Sequence, residues 1–270
     1  PGHAVCASET IEPDAAARIF EELLAPYTEN GSGQLRVLRG WRPTAVAVQD
    51  NRVSGVTFER SQCESSETAP AVLKVDAALT IDCSDWGDVI RLSGARYSAG
   101  PDLRERFAEP GAPEGPLGDN ANEMNPISYC VVVEGALTDG APKNSTIDRP
   151  PHYDPRSFAA LDRTVPFVDS DYPEGIYSIP NQSIYTHRRL VDSRHGDLTP
   201  RDVSRLRDVV LLNWPVQDYP IYDFPKHVVA ALEATEPGAS KKNLVDMTYA
   251  QRDIVFDDAK QHALGLLYHL

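Results

Sequence analysis

The stretch from Lys74 to Gly94 constrains this chain more than any other. Val75, Ala77, Leu79 and Ile81 alternate with more polar positions, which predicts a strand with one apolar face. Cys83-Ser-Asp-Trp-Gly-Asp88 then breaks the run with turn and cap residues. Val89, Ile90 and Leu92 resume at closer spacing, so a short helix is expected to start at Gly87 or Asp88. A strand that hands a small-residue turn to a helix N-terminus presents unpaired amides and a positive dipole end, which suit a phosphate or another anion. The same local pattern also describes an ordinary strand-to-helix corner.

Composition narrows the classes around this stretch. A chain of 270 residues can bury a good core as one large or two small domains. Its formal charge of −14 argues against a nucleic-acid backbone or an anionic membrane surface as partner. No apolar run approaches the roughly 20 residues that cross a bilayer. The first residues, Pro1 to Thr10, have neither a basic segment nor an apolar core and do not read as an intact signal peptide. Cys6, Cys63, Cys83 and Cys130 are widely spaced without a Cys-x-x-Cys pair, so no metal site is expected and disulfides stay open. A soluble protein follows, with the cytoplasm slightly preferred.

Along the chain, Glu12 to Ala25 predicts a helix, with Pro13 in the first turn and Ala16, Ile19, Phe20, Leu23 and Leu24 on one face. Leu35, Val37 and Trp41 suggest a strand, and Asp50-Asn51 between two alternating runs signals a hairpin. Ile127 to Glu134 reads as a strand within a Gly- and Pro-rich region. Phe158, Leu161 and Val165 suggest a helix capped by Asp154 or Ser157. Ile176 to Asp192 reads as a strand followed by a second strand or short helix. Val209 to Leu212 is an apolar strand that delivers Asn213, Trp214, Asp218 and Tyr219 into a Pro-bounded turn, where such groups can line a ligand site or pin a loop. His227 to Leu232 and Arg252 to Leu270 read as helices.

Ile81, Asp82, Gly87 and Asp88, followed by Gly94-Ala-Arg-Tyr and Gly100, resemble the strand, Gly-Asp helix and Gly-Ala-x-Tyr turn of FAD-dependent oxidoreductases. Cys83 stands where the family commonly has Ala, and Ser84 where it has Thr. Val37-Leu-Arg-Gly40 through Gly55-Val56 and the Pro150 to Phe158 stretch continue the likeness. The family's Gly-x-Gly-x-x-Gly turn has no counterpart, since Gly31-Ser-Gly33 lacks the third glycine and follows a helix. The resemblance therefore implies an internal portion of a longer flavoprotein, whose missing segments would be its partners. The fold class implied is mixed α/β. Residues 1–100 would form part of a Rossmann-like FAD-binding domain with a β-meander, and residues 101–270 a mixed-sheet substrate-binding region.

The resemblance implies FAD as cofactor, held at Cys83, Ser84, Asp85, Gly87 and Asp88. Amides and the Ser84 hydroxyl would face phosphate or ribityl oxygens, and Asp88 would accept from a sugar hydroxyl or cap the helix. Oxidation at a carbon bearing a hydroxyl or amine needs a nearby base, and His187, Asp218 and Tyr219 are the candidate catalytic residues because they fall at the family-like strand ends. Asn213 and Trp214 would contact a small polar or sugar-like substrate. His262 and His269, seven residues apart, can share a helix face but have no carboxylate to make a metal pair. A non-catalytic ligand-binding or interaction domain on the same scaffold is the alternative.

Overall fold

The computed structural model describes residues 11–28, 31–61, 71–100, 103–115, 124–135, 147–163, 189–191 and 208–270. His187, and most of the segment from Ile176 to Asp192, lie outside them. In chain order the elements are α1 (Pro13–Leu24), β1 (Trp41–Gln49), β2 (Arg52–Arg60), β3 (Val72–Asp76), α2 (Asp88–Leu92), α3 (Arg104–Phe107), β4 (Ile127–Ser128) and β5 (Val131–Gly135). They continue with a 3-10 helix (Pro155–Arg163), β6 (Arg189–Val191), β7 (Asp208–Leu212), β8 (Asp218–Tyr219), α4 (Lys226–Thr235) and α5 (Tyr249–His269). Helices and small sheets mix along the chain, and every strand pairing among the described residues is antiparallel.

The chain divides into two compact units. One comprises Leu24–Met124 with Val229–Arg252, and its sheet is the meander β1-β2-β3. The hairpin turns at Asp50 and Asn51, whose φ angles of 50° and 60° are the left-handed pair that a tight two-residue hairpin demands. Asp and Asn adopt that conformation at lower cost than other side chains with a Cβ. The long alternating run splits differently from its expectation. β3 ends at Asp76, and Leu79 and Ile81 stand 76% and 74% exposed outside any strand. Alternation marks an apolar face only where a neighbouring strand pairs with the backbone, and here pairing with β2 stops at Asp76 opposite Gly55. The strand suggested by Leu35 and Val37 likewise begins only at Trp41.

The other unit comprises Pro1–Leu23, Asn125–Val228 and Asp253–Leu270. Its three-stranded sheet has the order β5-β7-β6, and β4 pairs separately with β8. The strand expected from Ile127 to Glu134 is thus two strands, with Tyr129 and Cys130 between them. Its core is Phe158, Leu212, Trp214 and Leu266, surrounded by Val131, Val133, Tyr153, Val216, Leu267 and Leu270. The helix suggested by Phe158 and Leu161 is the 3-10 helix Pro155–Arg163, while Val165 lies outside the described residues.

Helix α5 supplies Leu266 to that core and, one residue earlier, the gap that Phe158 fills. A Cβ on Gly265 would stand 3.1 Å from two Phe158 ring atoms and 3.3 Å from Tyr153 Cδ2. Gly265→Ala gains about 1 kcal/mol of helix propensity, but it forces a ring that is 1% exposed out of its place. The net expectation is a loss of about 1–2 kcal/mol, read as a lower urea midpoint; a raised midpoint would mean that the ring yields freely.

Candidate functional site

The corner before α2 is organised by one carboxylate. Asp82 Oδ1 accepts from the Ser84 amide at 2.9 Å and the Ser84 hydroxyl at 2.6 Å. Its Oδ2 accepts from the amides of Val89 at 2.8 Å and Ile90 at 3.0 Å. Ser84 Oγ in turn accepts from the Asp88 amide at 2.9 Å. Gly87 enters the helix at φ 60°, a left-handed turn that spares glycine the usual Cβ penalty. Burial raises the Asp82 pKa, but the Ser84 hydroxyl and amide and the two helix amides together draw it below the ordinary carboxylate value. An ionised side chain therefore sits where an external anion would meet the helix end.

Asp88 points away from this cap into a second cluster. Its carboxylate receives Arg252 Nη2 at 2.6 Å and Nη1 at 3.4 Å, and Arg91 Nη2 lies 3.7 Å away. The Arg252 and Asp88 side chains are only 2% and 7% exposed. Arg252 also donates Nε–H to the Met247 carbonyl at 3.2 Å, and its guanidinium lies 5.0 Å from the Tyr249 ring centroid and 5.9 Å from that of Trp86. Burial, with Asp88 nearby, pushes the Tyr249 phenol up to about 12. Asp88 is thus held in a buried ion pair with Arg252. Cys83, Ser84 and Asp85 stay exposed.

The residues expected on the substrate side fall in the other unit. Asp218 accepts from the Ser128 hydroxyl across the β4–β8 pairing. Trp214 belongs to the apolar core, with its amide donating to Gln217 Oε1 at 2.8 Å, and Asn213 beside it is half-buried. Tyr219 is 2% exposed and donates its hydroxyl to Asp258 Oδ2 at 2.7 Å. Burial first, and then that carboxylate, pushes the Tyr219 phenol well above its ordinary value. The other oxygen of Asp258 meets His227 Nε2 at 2.6 Å, and the His152 ring stacks on His227 with centroids 3.7 Å apart. His262 and His269 are engaged separately, with the Val216 carbonyl at 2.8 Å and the Tyr153 hydroxyl at 2.8 Å.

Sequence reasoning missed Asp258, His227 and His152 as a group. Nothing local signals a cluster whose members come from a turn, the start of α4 and the middle of α5. Asp82 had a usable signal, an Asp-x-Ser run ahead of a helix start.

The sequence profile of the FAD dependent oxidoreductase family matches residues 2–267, and the chain belongs to that family. No curated protein and no solved structure matches it. FAD is the family's cofactor. The Asp82 corner does not fit the FAD pyrophosphate as it stands. The helix-terminal amides of Asp88, Val89 and Ile90 already have acceptors, and a phosphate would face the Asp82 carboxylate.

Two outcomes test this reading of the corner. Arg252→Ala leaves Asp88 buried without its partner and is expected to cost about 3–5 kcal/mol by chemical denaturation; a loss below about 1 kcal/mol would place the pair in solvent. The second concerns acid. Glu233 accepts from the Gly238 and Ser240 amides, and the Ser240 hydroxyl first, then these amides, draw its carboxyl from 4.5 down to about 2. With folded values depressed, the contributions of Asp82 and Glu233 are fully present above the unfolded values of 3.8 and 4.5. Both are lost as pH falls toward the folded ones. Asp82→Asn should flatten the decline of stability on the acid side of pH 4; an unchanged acid limb would remove Asp82 as its source.

Proposed function

We propose that this chain is the substrate-binding portion, with part of the cofactor domain, of an FAD-dependent oxidoreductase that oxidises a small polar organic or sugar-like molecule. The family match over residues 2–267 carries the redox part of this reading. When bound, the flavin supplies the redox chemistry, while protein groups bind, orient and handle protons. The polar substrate class is supported by the titratable groups gathered around Asp258 and by Asp218 and Asn213 at the ends of β7 and β8. In this reading Cys83, Ser84, Asp85, Gly87 and Asp88 form a rigid corner beside the cofactor, shaped by Asp82 and Arg252, and its phosphate donors come from elsewhere.

A second reading, a non-catalytic ligand-binding domain on this scaffold, draws on the closed Asp82 corner. Visible absorption of the purified chain before and after denaturation, followed by FAD titration, separates the two. The oxidoreductase reading expects flavin bands that shift on release, or saturable FAD binding by the chain. Ser84→Ala is expected to leave FAD affinity within about twofold while weakening the helix cap by about 1 kcal/mol. No flavin and no saturable binding would favour the second reading.

A further inference from the structure

Among the described histidines, His227 alone combines a carboxylate partner, a partly open ring and a second ring nitrogen with no hydrogen bond among the described residues. Its side chain is 34% exposed, and that of Asp258 is 14% exposed. Tyr219 is a phenol that donates to Asp258 Oδ2, so Oδ1 is left to accept from His227 Nε2. That fixes the proton on Nε2 in the neutral ring and leaves the Nδ1 lone pair as an acceptor, the arrangement by which a carboxylate orients an imidazole base. His262 and His269, by contrast, already spend a ring nitrogen on the Val216 carbonyl and the Tyr153 hydroxyl, and both rings pack on Phe158.

His152 adds an independent observation. It occupies φ 58°, a left-handed conformation that costs a non-glycine residue free energy. The strained backbone places its exposed ring over His227 at 3.7 Å, with only 14° between the planes. A stacked aromatic covers one face of the imidazole and leaves its edge, where the lone pair lies, open to a ligand. Asp258 adjoins His227, but no group of three His, Cys, Asp or Glu among the described residues is placed to hold a metal ion. The carboxylate is spent on Nε2 and the Tyr219 hydroxyl, an arrangement suited to proton transfer.

We propose that His227 is an acid–base residue for a hydroxyl- or amine-bearing small molecule, with Asp258 and Tyr219 as positioning residues and His152 as the wall over its ring. The proposal rests on the oxidoreductase reading only for the class of ligand. In the step assigned to it, the O–H or N–H bond of the ligand breaks and a new N–H bond forms at Nδ1. The electron pair of the broken bond stays on the ligand heteroatom, and the step runs in reverse when His227 acts as acid.

The test uses the full chain labelled with nitrogen-15, with long-range proton–nitrogen spectra to identify each histidine tautomer. The neutral form of His227 is expected to be protonated on Nε2, and glycerol and ethanolamine as probes are expected to shift its Nδ1 signal. Diethyl pyrocarbonate should modify His227 ahead of His262 and His269. Asp258→Asn should slow that modification about tenfold, since the carboxylate fixes the tautomer that presents the Nδ1 lone pair. His227 protonated on Nδ1, or an unchanged modification rate in Asp258→Asn, would overturn the proposal. If Asp258→Asn does not fold, the tautomer in the unaltered chain decides alone. Neither readout uses flavin, so a failure here leaves the oxidoreductase reading standing, and a failure to bind FAD leaves this one standing.

Discussion

The ion pair between Arg252 and Asp88 governs the unit that contains it. Two charges taken almost wholly out of water must recover their hydration from protein groups, and they do so only with good geometry. Arg252 meets that demand with two contacts to Asp88, one to the Met247 carbonyl and two aromatic faces. The consequence is positional. The first turn of α2 is tied to the first turn of α5, which lies 164 residues further along the chain. Because one partner alone would be a buried uncompensated charge, the arrangement is held nearly all-or-none.

The Asp82 corner shows how the same physics decides between stability and binding. A helix N-terminus offers free amides, and an anion that accepts them is stabilised there. This chain fills the position with its own carboxylate, whose two oxygens take four donors between them. A carboxylate has about four lone-pair directions to offer, so little acceptor capacity remains for a ribose hydroxyl either. The feature that suggests a phosphate site in the sequence is, in the fold, a closed cap.

The Asp258 cluster stands at the opposite extreme. Its carboxylate is divided between a buried phenol and a partly open imidazole, so one side is structural and the other faces solvent. Arg252 belongs to one compact unit, while Asp258, His262 and Leu266 belong to the other. Along α5, Val255, Ala259, Ala263 and Leu266 form a buried row at helical spacing, with Asp258 and His262 half-buried beside it.

Local physics made several elements legible in the sequence. Pro13 and the apolar spacing marked α1, Asp50-Asn51 marked the hairpin, Gly87 and Asp88 marked the start of α2, and Val209 to Leu212 marked β7. The motifs around Asp82, Gly87 and Asp88 also pointed to the family that the profile match establishes. Tertiary structure decided what depends on partners distant in sequence. Alternation through Leu79 and Ile81 could not say where strand pairing stops, and Asp88 gave no sign that Arg252 would claim it. Tyr219 stood out by its place at a strand end, yet His227 and Asp258, 31 residues apart, became a pair only when α4 and α5 folded. Short-range turns and periodicities were legible before folding was considered, because they depend on neighbours within a few residues. Tertiary structure alone determined which charges are buried together, because desolvation depends on everything that packs around them.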